Sequence, residues 1–320
     1  MPIIEKDNEI MIRSRAVGLN HIDWKSVQYN ICLPSFPWIM GREMAGVVEK
    51  VGSAVTDFKV GDHVWTSTYY RDRRAGCFQE FVVVPELTVS SIPSNLTFES
   101  AACLGVGAIT AAMTLWKWLE VPMPSALSVS SSEEAANAEQ YILIWGGSTI
   151  VGQFAIQIAL RGNFNVIAVS SEESRSIIEE FGNVHVVTRC NRSNGEIIAE
   201  IRKIGGDRTV KAMDLVGSET AACCIRALST TLPSIFAHLV TMPKSLSIPS
   251  NITVREVAMK KFVLDESSKA YSTELNEIVQ SGVVKLPQIS ILEGGLSRVD
   301  EGLRILQMGG MKGRKLVVSM

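Results

Sequence analysis

Residues 141–152, Tyr141-Ile-Leu-Ile-Trp145 followed by Gly146-Gly-Ser-Thr-Ile-Val-Gly152, decide the fold. The first five form a short apolar run, the pattern of a strand buried on both faces. The next seven are a glycine-rich turn, and IVGQFAIQIAL (150–160) continues as an apolar helical segment. A strand, a tight glycine turn and a helix set the pyrophosphate of a dinucleotide against free helix amides. Gly147 and Gly152 fill the first and third positions of G-x-G-x-x-G, and Thr149 stands at the second. The middle glycine normally admits the backbone to the phosphate. The hydroxyls of Ser148 and Thr149 are therefore expected to compensate by donating to phosphate oxygens, beside the amides of Ile150 and Val151.

Outward from this turn the pattern repeats. NVIAV (165–169), VHVV (184–187), VKAMDLV (210–216) and FAHLV (236–240) read as strands. Between them lie helical segments: SEESRSIIEEFG closing at Gly182, GEIIAEIRKIGG with a glycine stop, and one starting at Glu219. Strands alternating with helices of about ten residues predict a parallel, doubly wound α/β sheet. The second strand ends Val169-Ser170-Ser171, without the acid that binds a ribose 2′-hydroxyl; Glu172 and Glu173 follow it. Hydroxyls of Ser170, Ser171 and Ser174 with Arg175 suit a 2′-phosphate, so NADPH is the expected cofactor. The alternative for Arg175 is a solvated helix face. Arg189, ending the third strand, is expected to pair with or stack on the adenosine phosphate end.

The first 118 residues read differently. IMIRSRAV, AGVVEKVG, FKVGDHVW and CFQEFVVVP are short β-branched runs broken by turns, favouring an antiparallel, barrel-like domain. Helices over 272–281 and 299–308 and a last strand, KLVVSM, close the chain. VPMPSALSVSSSEEAANAEQ (121–140) reads as a solvated linker or surface loop. The expected domains are 1–118, to which 262–320 return, and a cofactor-binding domain over 119–261.

With 320 residues, 46% hydrophobic and 20% charged, there is material for two packed cores. A formal net charge of −2 without a basic stripe argues against nucleic acid and anionic membranes as partners. Six cysteines, at 32, 77, 103, 190, 223 and 224, show no CxxC pair and suit reduced thiols in a cytoplasmic protein. The opening MPIIEKDNEI carries charges where a signal peptide needs an apolar run. The apolar stretch 101–116 contains two glycines and is expected to be a buried helix, too short to span a bilayer.

Several segments together resemble the medium-chain dehydrogenase/reductase superfamily: VGLNHIDWK (17–25), GREMAGVVEKVGSAVTDFKVGDHV (41–64), AGCFQEFVVVP (75–85), GVGAITAAMTL (105–115), the 141–152 region and LEGGLSRVDEGLRILQMGGMKGRKLVV near the end. The WGGST turn and the Ser/Pro-rich stretch before it are most similar to fungal trans-acting enoyl reductases of polyketide biosynthesis. The resemblance implies a GroES-like β domain, a Rossmann domain and NADPH-driven reduction of a conjugated double bond. It also implies an N-terminus shorter than usual, with an early strand missing or altered. Zinc-binding members carry a cysteine and a G-H-E histidine where this chain has Asn20 and Gly41-Arg42-Glu43. An arginine cannot ligate zinc, and His21, His63, His185 and His238 show no ligand spacing, so no metal is expected.

The route left is conjugate hydride addition, with a donor stabilising the resulting enolate. The resemblance places Asn20, Asp23 and Lys25 near the nicotinamide, with Asn20 and Lys25 catalytic and Asp23 a cofactor contact. It makes Thr110 a weaker catalytic candidate. It brings Val216 and Gly217 to the nicotinamide ribose and Met311 and Lys312 to the cofactor. The charged segment 68–77 either rims the substrate cleft, docks a carrier protein, or is a solvated turn. Three functions stay open: an enoyl reductase acting on a carrier-tethered acyl chain beside a polyketide synthase; a free-standing reductase of small quinones or enones; and a scaffold or cyclase without hydride chemistry.

Overall fold

A computed structural model of the chain describes residues 1–69, 71–124, 131–243 and 245–320. These form two compact units, one of residues 1–109 and 259–320, the other of 110–258. The sequence reading divides the chain at 118/119 and 261/262. The difference arises because one helical stretch, Phe98–Trp118, runs through the first division. Composition changes only at the end of that stretch.

The first unit begins with β1 (Glu9–Gly18), α1 (His21–Gln28), β2 (Glu43–Val51), β3 (His63–Ser67), β4 (Phe81–Pro85), β5 (Val89–Ser91) and α2 (Phe98–Ala101). The second holds α3 (Ile109–Met113, shared across the boundary), α4 (Ser131–Glu139), β6 (Tyr141–Trp145), α5 (Ile150–Arg161), β7 (Asn165–Ser170), α6 (Arg175–Glu179), β8 (Val184–Thr188), α7 (Asn194–Gly205), β9 (Thr209–Asp214), α8 (Ser218–Ala227), β10 (Ser234–His238) and β11 (Ile252–Glu256). The chain then returns to the first unit with α9 (Lys260–Leu264), α10 (Lys269–Gln280), β12 (Ile289–Leu292), α11 (Val299–Met308) and β13 (Lys315–Ser319).

The first unit is built on a seven-stranded sheet in the order β12-β13-β1-β2-β3-β5, with β4 also on β1. Its pairs are antiparallel except β12 with β13. Ile10, Ile12, Val17, Met44, Val48, Val64, Val82, Val84, Leu316 and Val318 make its core. The last strand is a working member of the sheet: Val17 pairs with Val318 and Gly18 with Val317. That pairing draws the C-terminal sixty residues into the first unit.

The second unit is a six-stranded sheet, β11-β10-β9-β6-β7-β8, with every pair parallel. All five residues of β6 are buried, as a central parallel strand requires. β7 and β8 lie to one side of β6, and β9, β10 and β11 to the other. The strand order therefore reverses between β6 and β9, and ligands of such sheets bind outside the carboxyl ends at that point.

Three expectations change. Part of the proposed linker is the helix α4, and residues 125–130 of it lie outside the described residues. β9 and β10 end two residues early, at Asp214 and His238, because the chain there turns across its neighbours: Leu215 N donates to Trp145 O (3.1 Å) and Leu239 N to Asp214 O (3.2 Å). The apolar helical stretch extends over 21 residues, Phe98–Trp118, long and apolar enough to cross a membrane by length and composition. Its most apolar window is 78% buried inside the protein, the position of a core helix.

The turn after β6 needs its glycines. Gly146 has φ +99°, the left-handed region. A Cβ on Gly152 would lie 2.3 Å from Gly146 O and 2.8 Å from Gly147 O, so α5 packs on the turn only without a side chain there. Gly152→Ala is expected to lower unfolding stability by about 1–3 kcal/mol, the usual scale of overpacking, read as a shifted urea midpoint; an unchanged midpoint would show that the turn yields freely.

Candidate functional site

At the carboxyl edge of the parallel sheet, strand-end bonds join neighbouring loops into a continuous rim. Gly146 N and Gly147 N donate to Val169 O (3.0 Å each), and Arg189 N donates to Ser170 O (3.1 Å). A Cβ on Gly146 would lie 3.1 Å from Leu215 Cβ and 3.2 Å from Val216 Cγ2, so the glycine turn and the end of β9 abut at the reversal point. The structure thus brings Gly147, Ser148, Thr149, Ile150, Val151 and Gly152 to one edge with Ser170, Ser171, Arg189, Val216 and Gly217.

Within the turn, Thr149 is the N-cap of α5. Its Oγ1 accepts from Gly152 N (3.0 Å) and donates to Gly146 O (2.8 Å). The expected donation from Thr149 to a phosphate is corrected: its only hydroxyl proton is already committed. Ser148 is half-buried and presents its hydroxyl without a partner among the described residues; its carbonyl accepts from Gln153 Nε2. The amides of Ile150 and Val151 belong to the first helical turn, which α-helix geometry leaves without intrahelical acceptors.

At the end of β7, buried Ser170 donates its hydroxyl to Ser171 O (3.0 Å), and the hydroxyls of Ser171 and Ser174 lie 3.1 Å apart. The Arg175 guanidinium bonds Glu172 (3.1 Å) and Glu179 (3.3 Å) along the helix surface, as i,i+3 and i,i+4 pairs. These surface pairs match the solvated-face alternative for Arg175. Arg189 is exposed, is tied to Ser170 through its backbone, and has no side-chain partner among the described residues.

At the end of β9, Val216 is 48% exposed and Gly217 is extended, with open space where a Cβ would stand. Below them lies fully buried Asp214. Burial pushes its carboxyl up, against bonds from Thr220, Val216 and Gly217 and the nearby His238. Sequence reasoning passed over Asp214; a lone acid closing an apolar strand was the signal.

The first unit holds a buried polar cluster. Lys315 Nζ bonds Glu43 Oε1, Asn20 Oδ1 (2.8 Å) and Leu19 O (3.0 Å). Glu43 also accepts from Asn20 Nδ2 (2.8 Å) and from Val106 N (2.6 Å). Val106 lies in a π-helical turn, Leu104–Ala108, whose amide the carboxylate takes out of the helical ladder. Both ends of the Asn20 amide are therefore occupied. Asp23 is 1% exposed. It accepts from Asn20 N (2.9 Å) as part of the α1 capping box and lies 3.7 Å from Arg42 Nε. Its expected cofactor contact is corrected: the carboxyl faces inward, and burial pushes it up to about 6. Glu43 and Lys315 were missed. A lysine opening the apolar strand KLVVS was the signal, because a buried ammonium needs partners.

Lys25, half-buried, has its Nζ 5.6 Å from the Trp24 ring and no acceptor among the described residues. Thr110 in the second unit is buried; its carbonyl accepts from Thr114 Oγ1 (2.7 Å), and its hydroxyl has no partner among the described residues. Met311 packs against the first unit's core. Exposed Lys312 (φ +47°) follows it in a loop with Gly309, Gly310 and Gly313 at positive φ. No group of three or more metal-ligating side chains occurs among the described residues.

The sequence profile of the alcohol dehydrogenase GroES-like domain matches residues 6–94. The chain is 29% identical over 321 aligned residues to a trans-enoyl reductase of Aspergillus japonicus, covering 98% of this chain and 90% of that one. It is 31% identical over 258 residues to a dehydrogenase of Monascus ruber, covering 78% and 68%. The fold matches the quinone oxidoreductase of Escherichia coli complexed with NADPH, with a TM-score of 0.79 and 19% identity over 100% of this chain and 94% of that one.

Lys315→Met is expected to lower unfolding free energy by about 3–5 kcal/mol and Glu43→Gln comparably, with the double change costing less than their sum, because each single change strands a buried partner. Urea melts of the three variants measure this; additive losses would show that the pair does not act as one unit. Asp23 gives a pH signature. Its folded pKa lies above its unfolded one, so wild-type stability relative to Asp23→Asn falls as pH rises from about 4 to 6, by on the order of 3 kcal/mol, and is level above. A pH-independent difference in melting would refute it.

Proposed function

The chain belongs to the medium-chain dehydrogenase/reductase superfamily, and from that premise we propose that it is an NADPH-dependent enoyl reductase. It reduces a conjugated carbon–carbon double bond of a polyketide or acyl intermediate, in trans with a polyketide synthase. The observation that carries this is the carboxyl edge of the second unit, where a glycine turn, helix amides, strand-end serines and an arginine without a side-chain partner among the described residues line up across the reversal point. The likeness to a trans-enoyl reductase over nearly the full chain supports the reaction class.

In this proposal Gly147, Ser148, Ile150, Val151 and Gly152 form the pyrophosphate cradle. Ser171 and Arg189 hold the 2′-phosphate, with Ser170 and Ser174 behind them. Val216 and Gly217 face the nicotinamide ribose, and Met311 and Lys312 are further candidate cofactor contacts. NADPH, when bound, supplies hydride to the β-carbon of an α,β-unsaturated carbonyl. Lys25 is the candidate donor to the developing enolate oxygen, and its ammonium has no competing protein acceptor among the described residues. Thr110 is a second hydroxyl donor. Asn20, expected to be catalytic, has both ends of its amide bonded to Glu43 and Lys315, and in this reading it positions α1.

Titration with NADPH and NADH, followed by fluorescence and melting temperature, tests the proposal. Arg189→Ala is expected to weaken NADPH binding about 10- to 100-fold, the worth of a hydrogen bond to a charged group, and to leave NADH unchanged; Arg175→Ala should change neither. An α,β-unsaturated acyl-pantetheine thioester should be reduced far faster than simple enones or quinones. Equal rates would favour a free-standing reductase, and no binding of either nucleotide would leave the scaffold reading.

A further inference from the structure

Asp214 is a fully buried carboxylate with no place in the proposed reaction. It lies at the last position of β9, beside Trp145 of β6 and His238 of β10 in the register. Its bonds run to one short segment. Oδ1 accepts from Val216 N (3.2 Å) and from Thr220 Oγ1 (2.7 Å), and Oδ2 accepts from Gly217 N (3.3 Å). Thr220 Oγ1 in turn accepts from Gly217 N (3.0 Å). The loop 215–217 is therefore held from beneath by one side chain and its hydroxyl partner. Its outer face is open among the described residues: Val216 is 48% exposed, and a Cβ on Gly217 would have none of their heavy atoms within 4 Å.

The position of this loop decides what it serves. The serines and Arg189 mark the ends of β7 and β8 as the adenosine side. The glycine turn stands at β6, and the order reverses between β6 and β9. A dinucleotide extended across that point carries its other half over β9 and β10. Loop 215–217 is the first backbone it meets there, in contact range of Gly146.

We infer that Asp214 is the positioning residue of the nicotinamide half of the cofactor site, fixing the Val216–Gly217 backbone on which the nicotinamide ribose rests. The inference depends on the proposed dinucleotide binding. Asp214 acts without touching the cofactor. It takes up the Val216 amide, shares the Gly217 amide with Thr220 Oγ1, and leaves the outer face of the loop free.

The test compares two ligands that share the adenosine end: NADPH, and adenosine 2′,5′-bisphosphate, which lacks the nicotinamide half. Asp214→Asn keeps the shape but puts an amide donor against one of the backbone donors. It is expected to raise the Kd and KM of NADPH about tenfold, the worth of one charge-assisted hydrogen bond, while binding of the bisphosphate stays at the wild-type level. Thr220→Val should move the same way, and Thr220→Ser should restore wild-type values; this pair decides the matter if Asp214→Asn does not fold. Unchanged NADPH binding and turnover, or equal weakening of both ligands, would overturn the inference, the latter by showing a general structural role. Wild-type protein that binds neither ligand would instead remove the dinucleotide proposal beneath it.

Discussion

The first unit depends on a charge pair shut away from water, Lys315 with Glu43, whose side chains are 2% and 0% exposed. Two ions in a low-dielectric interior are tolerable only when their remaining hydrogen-bonding capacity is met. Here it is met by Leu19 O, both ends of the Asn20 amide and the amide of Val106. These partners come from β2, β13, the start of α1 and a π-helical turn, so the pair fixes four separate pieces of chain to one point. The space is made by glycines. A Cβ on Gly18 would lie 2.6 Å from Glu43 Oε1, and one on Gly105 would lie 2.7 Å from Glu43 Cβ. The long return of the chain from the second unit ends on this lysine, which gives the C-terminal strand a polar anchor as well as an apolar face.

Much of the second unit was legible because parallel strands declare themselves. β6 has the bounds expected, and so does α11 in the first unit, since continuous apolar runs and a clean helical period leave little choice. β11, Ile-Thr-Val-Arg-Glu, escaped notice because it is an edge strand with charges and only one fully buried residue. The helix α4 hid in a stretch whose serines and alanines read equally as linker. In the first unit the antiparallel character was visible, but β12 was not: its four residues carry no strong pattern, and only the parallel pairing with β13 makes them a strand.

The site residues divide along the same physical line. The glycines and strand-end serines lie together at the carboxyl edge of the parallel sheet because local geometry puts them there. The surroundings of Arg175 and Asp23 were not legible, because the partner of a charge depends on which opposite charge reaches it first. Two glutamates on its own helical surface take Arg175, and Arg42 with a backbone amide takes Asp23. Arg189, expected to pair with or stack on the adenosine phosphate end, is exposed and has no side-chain partner among the described residues.

Thr149 closes the turn after β6. A glycine at this position would let the backbone approach a phosphate but would leave Gly152 N without an acceptor. The threonine hydroxyl fills that need and returns its proton to Gly146 O, closing the turn on itself. An N-cap of this kind is worth about 1 kcal/mol, so the turn is set before any ligand arrives. What the substitution takes away in backbone access it returns in preorganisation, since a cradle already ordered loses less conformational freedom on binding. The departure from the glycine fingerprint is consistent with a dinucleotide site in which the amides of the first helical turn, rather than the loop itself, meet the anion.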